Sequence, residues 1–284
     1  RCGQWERSGG VLPAGARARR RLLPSERVEA LARQGYAMFH LDRLAEADAL
    51  FAAADEVFTS ATESGAERFA DTYFGAMARF YRAAILHRRF RAIEIHLPEQ
   101  QMQEDFAAKL ELLEQAQEAY NHAIRARHVY WVSAAGYQLS TLFEEFYDAV
   151  MYAPVPDWLD EAQRRVYYEE LEEQLRPVVD KAIWVLEKNL ETARKLGYEN
   201  EFVLRSEDQL ARLQGVLLGR DARLGQPMPR LTPGDSSIDE DGAASEATSC
   251  RRSSGSSSCR YRRLCDLRVS ARFDRGGDPS MVTS

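Results

Sequence analysis

Small and apolar residues recur at helical spacing over residues 31–54, and this pattern predicts two short antiparallel helices. Gly35 lies in the first helix, and Ala47, Phe51 and Ala54 follow one another at spacings of four and three in the second. Residues at these spacings lie on the same face of a helix. Small residues allow two helices to approach closely, and the phenylalanine ring fills the remaining space. An ordinary helical hairpin is the alternative interpretation of this stretch.

The same pattern returns later in the chain. Gly75 follows Gly35 by forty residues, within a predicted helix that begins at Glu67. A predicted helix over residues 99–125 then repeats the spacings of four and three, with a tyrosine in place of the phenylalanine, at Ala116, Tyr120 and Ala123. We interpret the latter half of this helix as the second helix of a second hairpin, displaced from the first by an insertion over residues 85–109.

The remaining helices are predicted with less regular patterns. Residues 129–152 are strongly aromatic and indicate a third, degenerate unit, because Leu142 stands where a small residue is expected. Helices are also predicted over residues 166–175, up to Leu196 and over residues 202–218, with Pro177 either starting or kinking the second of these. The expected fold class is therefore all-α.

The two ends of the chain differ in composition from this middle part. Residues 1–24 are rich in Gly and Arg, and residues 219–284 are rich in Ser, Arg and Gly. Segments with few apolar residues do not bury enough surface to offset their ordering entropy. The expected organisation is a disordered leader over 1–24, a helical domain over 25–218 and a disordered tail over 219–284.

The hairpins resemble the tetratricopeptide repeat (TPR), which has a small residue in its first helix and A-x3-F-x2-A in its second. The resemblance covers residues 27–218, with one clear, one split and two degenerate units. It implies hairpins stacked as a short α-solenoid that acts as a non-enzymatic scaffold or adaptor in a multiprotein assembly. The first unit departs from the pattern in having Leu31 at the usual Trp position, Asp42 for the turn glycine and no closing proline.

A narrower resemblance, to TPR adaptors of bacterial gliding-motility and cell-envelope complexes, lies at the end of the predicted domain. It rests on the pattern E-x-A-x-x-L-G-x-x-N-E-[WF], which is carried here by Glu191, Ala193, Leu196, Gly197, Asn200, Glu201 and Phe202. Phe202 replaces the commoner Trp. This resemblance implies the periplasm or cell envelope, provided that a signal peptide precedes Arg1; without one, the cytoplasm is expected.

Composition narrows the classes of partner. The formal net charge of −6 argues against general nucleic-acid binding, which depends on neutralising phosphates. No run of about eighteen apolar residues occurs, so no transmembrane helix is predicted. The cysteines, Cys2, Cys250, Cys259 and Cys265, lie in the flanks without a zinc-like spacing. The basic cluster Arg17–Arg21 leaves contact with an anionic membrane surface as an alternative to a solvated leader.

The sequence predicts no catalytic residue, cofactor or metal ligand set. None of the histidines, His40, His87, His96, His122 and His128, stands four residues from another, as in a helical metal pair. The sequence also lacks the P-loop, nucleophile-elbow and dinucleotide-binding motifs. The alternative function is a helical-bundle enzyme, or a metal-binding or small-molecule-binding protein, that uses buried Glu and His.

The aromatic residues have two interpretations, as core and as the lining of a binding groove. In the repeat register, the first helix of each unit faces the groove and supplies the candidate binding residues, Tyr36, Phe39, Thr72, Arg79, Tyr130 and Trp131. Tyr and Trp anchor peptides in such surfaces. We therefore expect a mixed apolar and cationic groove that binds an extended or acidic segment of another protein.

Overall fold

The computed structural model describes residues 22–218 and Leu231, and all regular elements within this part of the chain are helices. The helices are α1 (Pro24–His40), α2 (Leu44–Glu63), α3 (Tyr73–Ala92), α4 (Glu99–Arg125), α5 (Val129–Met151), α6 (Glu161–Leu196) and α7 (Glu201–Leu218). The all-α prediction is confirmed for these residues. The predictions made for residues 1–21, for 219–230 and for 232–284 lie outside the described residues.

The helices pack in a regular order. Each helix packs against the next one in the chain, and in addition α1 packs against α3, α3 against α5, and α5 against α7. The largest apolar cluster joins Ala32 of α1 to side chains of α3 to α7, and a smaller cluster joins α1, α2 and α3. None of these described helices is both long and apolar enough to cross a lipid bilayer.

Glycines mark the places where two helices approach most closely. A Cβ atom added to Gly35 would lie 2.8 Å from the ring of Phe51, and one added to Gly75 would lie 2.7 Å from the ring of Phe58. Both rings belong to α2, so this helix packs a phenylalanine against α1 on one side and against α3 on the other. Gly136 of α5 is similarly close to the side chain of Asn189 in α6, and the sequence pattern had not singled out Gly136.

The predicted packing residues are all buried. In α2 they are Ala47, Phe51 and Ala54, and in α4 they are Ala116, Tyr120 and Ala123. Spacings of three and four therefore place each set on the inner face of its helix.

Two predicted boundaries differ from the structure between α2 and α3. Helix α2 continues to Glu63, beyond the loop predicted from Thr59, because Phe58 and Ala61 are buried on its inner face. Helix α3 begins at Tyr73 and not at Glu67. The Glu67 carboxylate instead accepts hydrogen bonds from the backbone N–H of Ser25, at 2.8 Å, and from its hydroxyl, at 2.6 Å. It thereby ties the connecting segment to the start of α1.

Helix α6 is continuous where the sequence predicted that Pro177 starts or kinks a helix. It runs through Pro177, whose neighbours Leu175 and Val178 are buried and hold both halves against the core. Proline removes one backbone hydrogen bond from a helix interior, and this packing compensates for that loss. The helix ends at Gly197 in the left-handed conformation, as the sequence predicted for a glycine at this position.

Adding one methyl group to Gly35 tests the close approach of α1 and α2. We expect Gly35→Ala to lower the free energy of unfolding by about 1–3 kcal/mol, because the new Cβ overlaps Phe51. Gly215→Ala is the matched control, since nothing lies within 4 Å of its added Cβ. This control should raise the free energy by about 0.5–1 kcal/mol through helix propensity. Urea denaturation of both variants measures the difference, and an equal effect at the two sites would contradict the packing.

Candidate functional site

Aromatic side chains form a connected line across the odd-numbered helices, and Tyr81 of α3 is at its centre. The ring centroid of Tyr81 lies 5.3 Å from that of Tyr36 and 5.0 Å from that of Phe39, both in α1. On the other side it lies 5.9 Å from the ring of Trp131 in α5. Trp131 in turn contacts Tyr130, at 4.9 Å.

The line continues from Tyr130 to Phe202 of α7, at 5.5 Å. We call the six residues Tyr36, Phe39, Tyr81, Trp131, Tyr130 and Phe202 the aromatic line. Tyr36 is exposed, and Trp131 is buried beneath its neighbours. The other four side chains are half-buried, so each presents part of a ring to solvent. Such rings supply contact area with few rotatable bonds, which favours binding over packing alone.

A recess of about 460 Å³ lies beside Tyr81, and we call it the groove. Its lining comes from the α1 end, from α3, from α4 and from α5: Phe39, His40, Asp42, Phe80, Tyr81, Ala84, His87, Arg88, Arg91, Tyr120 and Gln138. The guanidinium of Arg88 lies 5.2 Å from the ring centroid of Phe39 and 3.1 Å from the Asp42 carboxylate. Both partners of this ion pair are solvent-exposed, so it contributes little to stability.

The floor of the groove is a chain of hydrogen bonds across three helices. His87 of α3 lies with Nε2 2.9 Å from Glu145 of α5 and with Nδ1 3.1 Å from the Tyr120 hydroxyl of α4. Arg91 donates from Nη2 to Glu145 at 2.6 Å, and from Nε at 2.8 Å. An ionised carboxylate only accepts hydrogen bonds. The assigned tautomer of His87 therefore donates from Nε2 to Glu145 and accepts at Nδ1 from Tyr120.

Protonation in this chain follows from burial and from the partners. Burial lowers the pKa of His87, and the adjacent Glu145 only partly opposes this effect, so the ring is neutral at pH 7. Burial alone would raise the pKa of Glu145, but hydrogen bonds from His87 and Arg91 outweigh it and lower the pKa to about 2. The floor therefore holds one ion pair, Arg91 with Glu145, and a neutral imidazole.

Arg79 and Thr72, which the sequence placed in a binding groove, lie elsewhere. Arg79 is only 8% exposed, and its Nε donates to Asp55 of α2 at 2.6 Å while its Nη2 donates to Thr59 at 2.9 Å. His122 of α4 contacts the other oxygen of Asp55 at 3.1 Å. Arg79 thus forms a buried ion pair between α3 and α2, and it does not line the groove. Thr72 is half-buried and directly precedes α3, outside the lining of the groove.

A second recess, of about 680 Å³, lies beside Asp55 and His122. It is lined by Asp55, Glu56, Thr59, Ser60, Glu63, Ser64 and His122. Burial alone would raise the pKa of Asp55, but His122 and Arg79 together lower it to about 2. The one buried carboxylate of this recess, that of Asp55, therefore already binds Arg79 and His122. Most of the other residues that line the recess are exposed. The groove is the better-built candidate.

Another face of α5 carries a fully buried acid, Glu144. Glu144 is 1% exposed, accepts a hydrogen bond from Gln209 of α7 and lies 3.3 Å from the guanidinium of Arg212. Burial raises the pKa of Glu144 to about 8, although Arg212 and Gln209 oppose this effect. The carboxyl is therefore mostly protonated at pH 7, in contrast to that of its neighbour Glu145.

The structure brings together some predicted site residues and adds others. Tyr36, Phe39, Tyr130 and Trp131 belong to the aromatic line, but only Phe39 of these four lines the groove, and Trp131 is buried in the core. The groove also uses Tyr81, His87, Arg88, Arg91 and Gln138, none of which the sequence pattern had singled out for this role. Aromatic residues stand on several faces of α3, so spacing alone does not show which ring is shared with α1 and α5. Among the described residues, no group of three or more His, Cys, Asp or Glu side chains is arranged to hold a metal ion.

Replacing Glu145 tests the floor of the groove. We expect Glu145→Gln to lower the free energy of unfolding by about 1–3 kcal/mol at pH 7, because Arg91 loses its ionic partner. The pKa of Glu145 is lowered on folding, so its contribution is present above about pH 4.5 and is lost as the pH falls towards 2.

Urea denaturation between pH 7 and pH 3 measures this difference, which should narrow as the pH falls. Glu187→Gln is the control, because Glu187 is an exposed residue of α6. A pH-independent difference for Glu145→Gln would contradict the ionic role.

Replacing Glu144 should give the opposite pH dependence. The pKa of Glu144 is raised on folding, so its stabilising contribution is present below about pH 4.5 and is lost as the pH rises towards 8. We expect the wild-type protein to lose about 1–3 kcal/mol relative to Glu144→Gln between pH 5 and pH 8. Denaturation curves at four pH values in this range test the sign, and parallel curves for the two proteins would refute it.

Comparisons with protein-family models, with curated proteins and with solved structures find no match to this chain.

Proposed function

We propose that this protein is a non-enzymatic, TPR-like helical scaffold that binds an extended segment of another protein in the groove. One observation carries the proposal: the odd-numbered helices pack against one another in succession. Stacked helical hairpins with this order of contacts present the first helix of every hairpin on one shared face. The aromatic line follows this face from α1 to α7. An assembly of the bacterial cell envelope, implied by the narrower resemblance, is the proposed setting.

The helix order supports this arrangement in a second way. The pairs α1 with α2, α3 with α4 and α5 with α6 correspond to three hairpins, and α7 follows as a last helix. Gly35 and Gly136 allow close approach within the first and the third hairpin, while Gly75 allows it between the first and the second. Small residues thus serve contacts both within and between hairpins, which a stacked array requires and an isolated hairpin does not.

The chemistry of the groove indicates the kind of segment it would bind. Phe39 and Tyr81 supply apolar ring surface, and the half-buried amide of Gln138 can hydrogen-bond to an extended backbone. Arg88 is an exposed cation whose present partner, Asp42, is also exposed. A carboxylate of the partner can replace Asp42 at little cost, because such surface ion pairs are weak. The expected ligand is an extended segment with an apolar side chain next to an acidic one.

Selection from a random peptide library tests this function with a defined ligand. We expect the full chain to enrich peptides in which an apolar residue adjoins Asp or Glu. A selected peptide should bind the double variant Tyr36→Ala, Arg88→Glu at least tenfold more weakly, since it loses the ring beside Tyr81 in the aromatic line and meets a reversed charge in the groove. Fluorescence anisotropy of the labelled peptide measures the affinities.

Trp184→Ala is the matched control for this experiment. Trp184 is an exposed aromatic residue of α6, outside the odd-numbered helices, and its removal should leave the affinity unchanged. Equal loss in the control and in the groove variant would contradict the proposed location. Failure to enrich any peptide would contradict the proposed function.

A further inference from the structure

One residue beyond the last helix is part of the core. Leu231 stands thirteen positions after Leu218, where α7 ends, and its side chain is 0% exposed. It belongs to the largest apolar cluster, together with buried side chains of α3 to α7. The sequence had placed this position in the tail that begins at residue 219. Full burial of a leucine this far beyond α7 in the sequence indicates a specific contact with the helical domain.

A polar contact fixes the backbone of Leu231 as well as its side chain. The backbone N–H of Leu231 donates a hydrogen bond of 2.7 Å to Oδ1 of Asp148 in α5. Asp148 is itself only 7% exposed. A hydrogen bond to a carboxylate is stronger than one between neutral groups, and it matters more at a buried site. The leucine side chain and the adjacent backbone are therefore recognised together, as in the binding of a peptide.

We propose that Asp148 and the surrounding apolar cluster form a peptide-binding site whose occupant is Leu231, supplied by the same chain. The occupant stands in a proline-rich sequence, QPMPRLTP, at residues 226–233. Prolines restrict the backbone before binding, so such a segment loses less entropy when it is held in an extended form. The chemical class of ligand is thus a proline-rich segment with one leucine as anchor.

The docked leucine is exchangeable for a physical reason. One apolar side chain and one hydrogen bond oppose the entropy of closing a loop of the length that separates Leu231 from α7. The contacts outweigh this cost by a small margin, so the docked form predominates, but the site still opens at equilibrium and a ligand of the same class can enter it. The site is distinct from the groove, because Asp148 is not among the groove residues. The inference therefore does not rest on the proposed function.

The first experiment offers the segment as a separate peptide. A fluorescent peptide of residues 225–235 is titrated into the full chain and into its Leu231→Asp variant. We expect the peptide to bind the variant at least tenfold more tightly, because the internal leucine no longer competes. A peptide with the same Leu231→Asp change should bind neither protein. Equal binding of the unchanged peptide to both proteins, or binding to neither, would overturn the proposal.

Two controls accompany the titration. Leu41→Asp changes an exposed leucine, 64% accessible, in the turn after α1, and it should bind the peptide as the unchanged chain does. The groove variant Tyr36→Ala, Arg88→Glu should also behave as the unchanged chain, which separates failure at this site from failure at the groove. If light scattering shows the unchanged chain as a dimer and Leu231→Asp as a monomer, a second copy supplies the leucine and the proposal of an occupant from the same chain is overturned.

The second experiment needs no change at Leu231. Trypsin cleaves after arginine, and Arg230 directly precedes Leu231. We expect cleavage between them to be at least tenfold faster in Asp148→Ala than in the unchanged chain, because the hydrogen bond that holds Leu231 is lost. Asp148→Asn keeps an acceptor oxygen and should restore most of the protection. Cleavage after Arg223 provides the internal reference for each protein. The same relative rate in all three proteins would overturn the docking of Leu231.

Discussion

The arrangement of the helices depends on two hydrogen-bonded ion pairs that join α3 to two different neighbours, one pair buried and the other partly exposed. Arg79 pairs with Asp55 of α2, and Arg91 pairs with Glu145 of α5 beside the buried His87. Burying an ion pair costs desolvation, so these contacts add less to stability than their short distances suggest. A buried charge without its partner is very unfavourable, however, and this penalises every orientation of α3 that separates Arg79 from Asp55. Tyr81 lies between the two pairs along the helix, so the same constraint positions the centre of the aromatic line.

Helix α5 distributes three acidic side chains among three neighbours. Glu144 contacts α7, Glu145 contacts α3, and Asp148 contacts Leu231. Adjacent residues on a helix point about 100° apart, so the neighbours Glu144 and Glu145 reach different elements. Their surroundings then give the two carboxyl groups different pKa values. Burial raises the pKa of Glu144, whereas hydrogen-bonding partners lower the pKa of Glu145. One short stretch of sequence thus connects the groove, the last helix and the Leu231 site.

Most of the secondary structure was predictable, because it depends on local patterns. The helix at 99–125 and the end of α6 at Gly197 agree with apolar spacing and with glycine at a helix terminus. The predictions failed where a distant contact decided the boundary. Glu67 was expected to open a helix, but it binds Ser25, forty-two residues earlier. Pro177 was expected to start or kink a helix, and buried neighbours keep α6 continuous through it.

The sequence by itself determined that the described domain is helical, which residues of α2 and α4 are buried, and that aromatic residues concentrate on certain helices. These properties follow from spacings of three and four residues, which act within one helix. Only the tertiary structure decided which aromatic rings share a surface, that Arg79 is buried while Arg88 is exposed, and that Leu231 returns to the core. Each of these depends on a partner far away in the sequence, and no local pattern specifies which of many similar side chains that partner is.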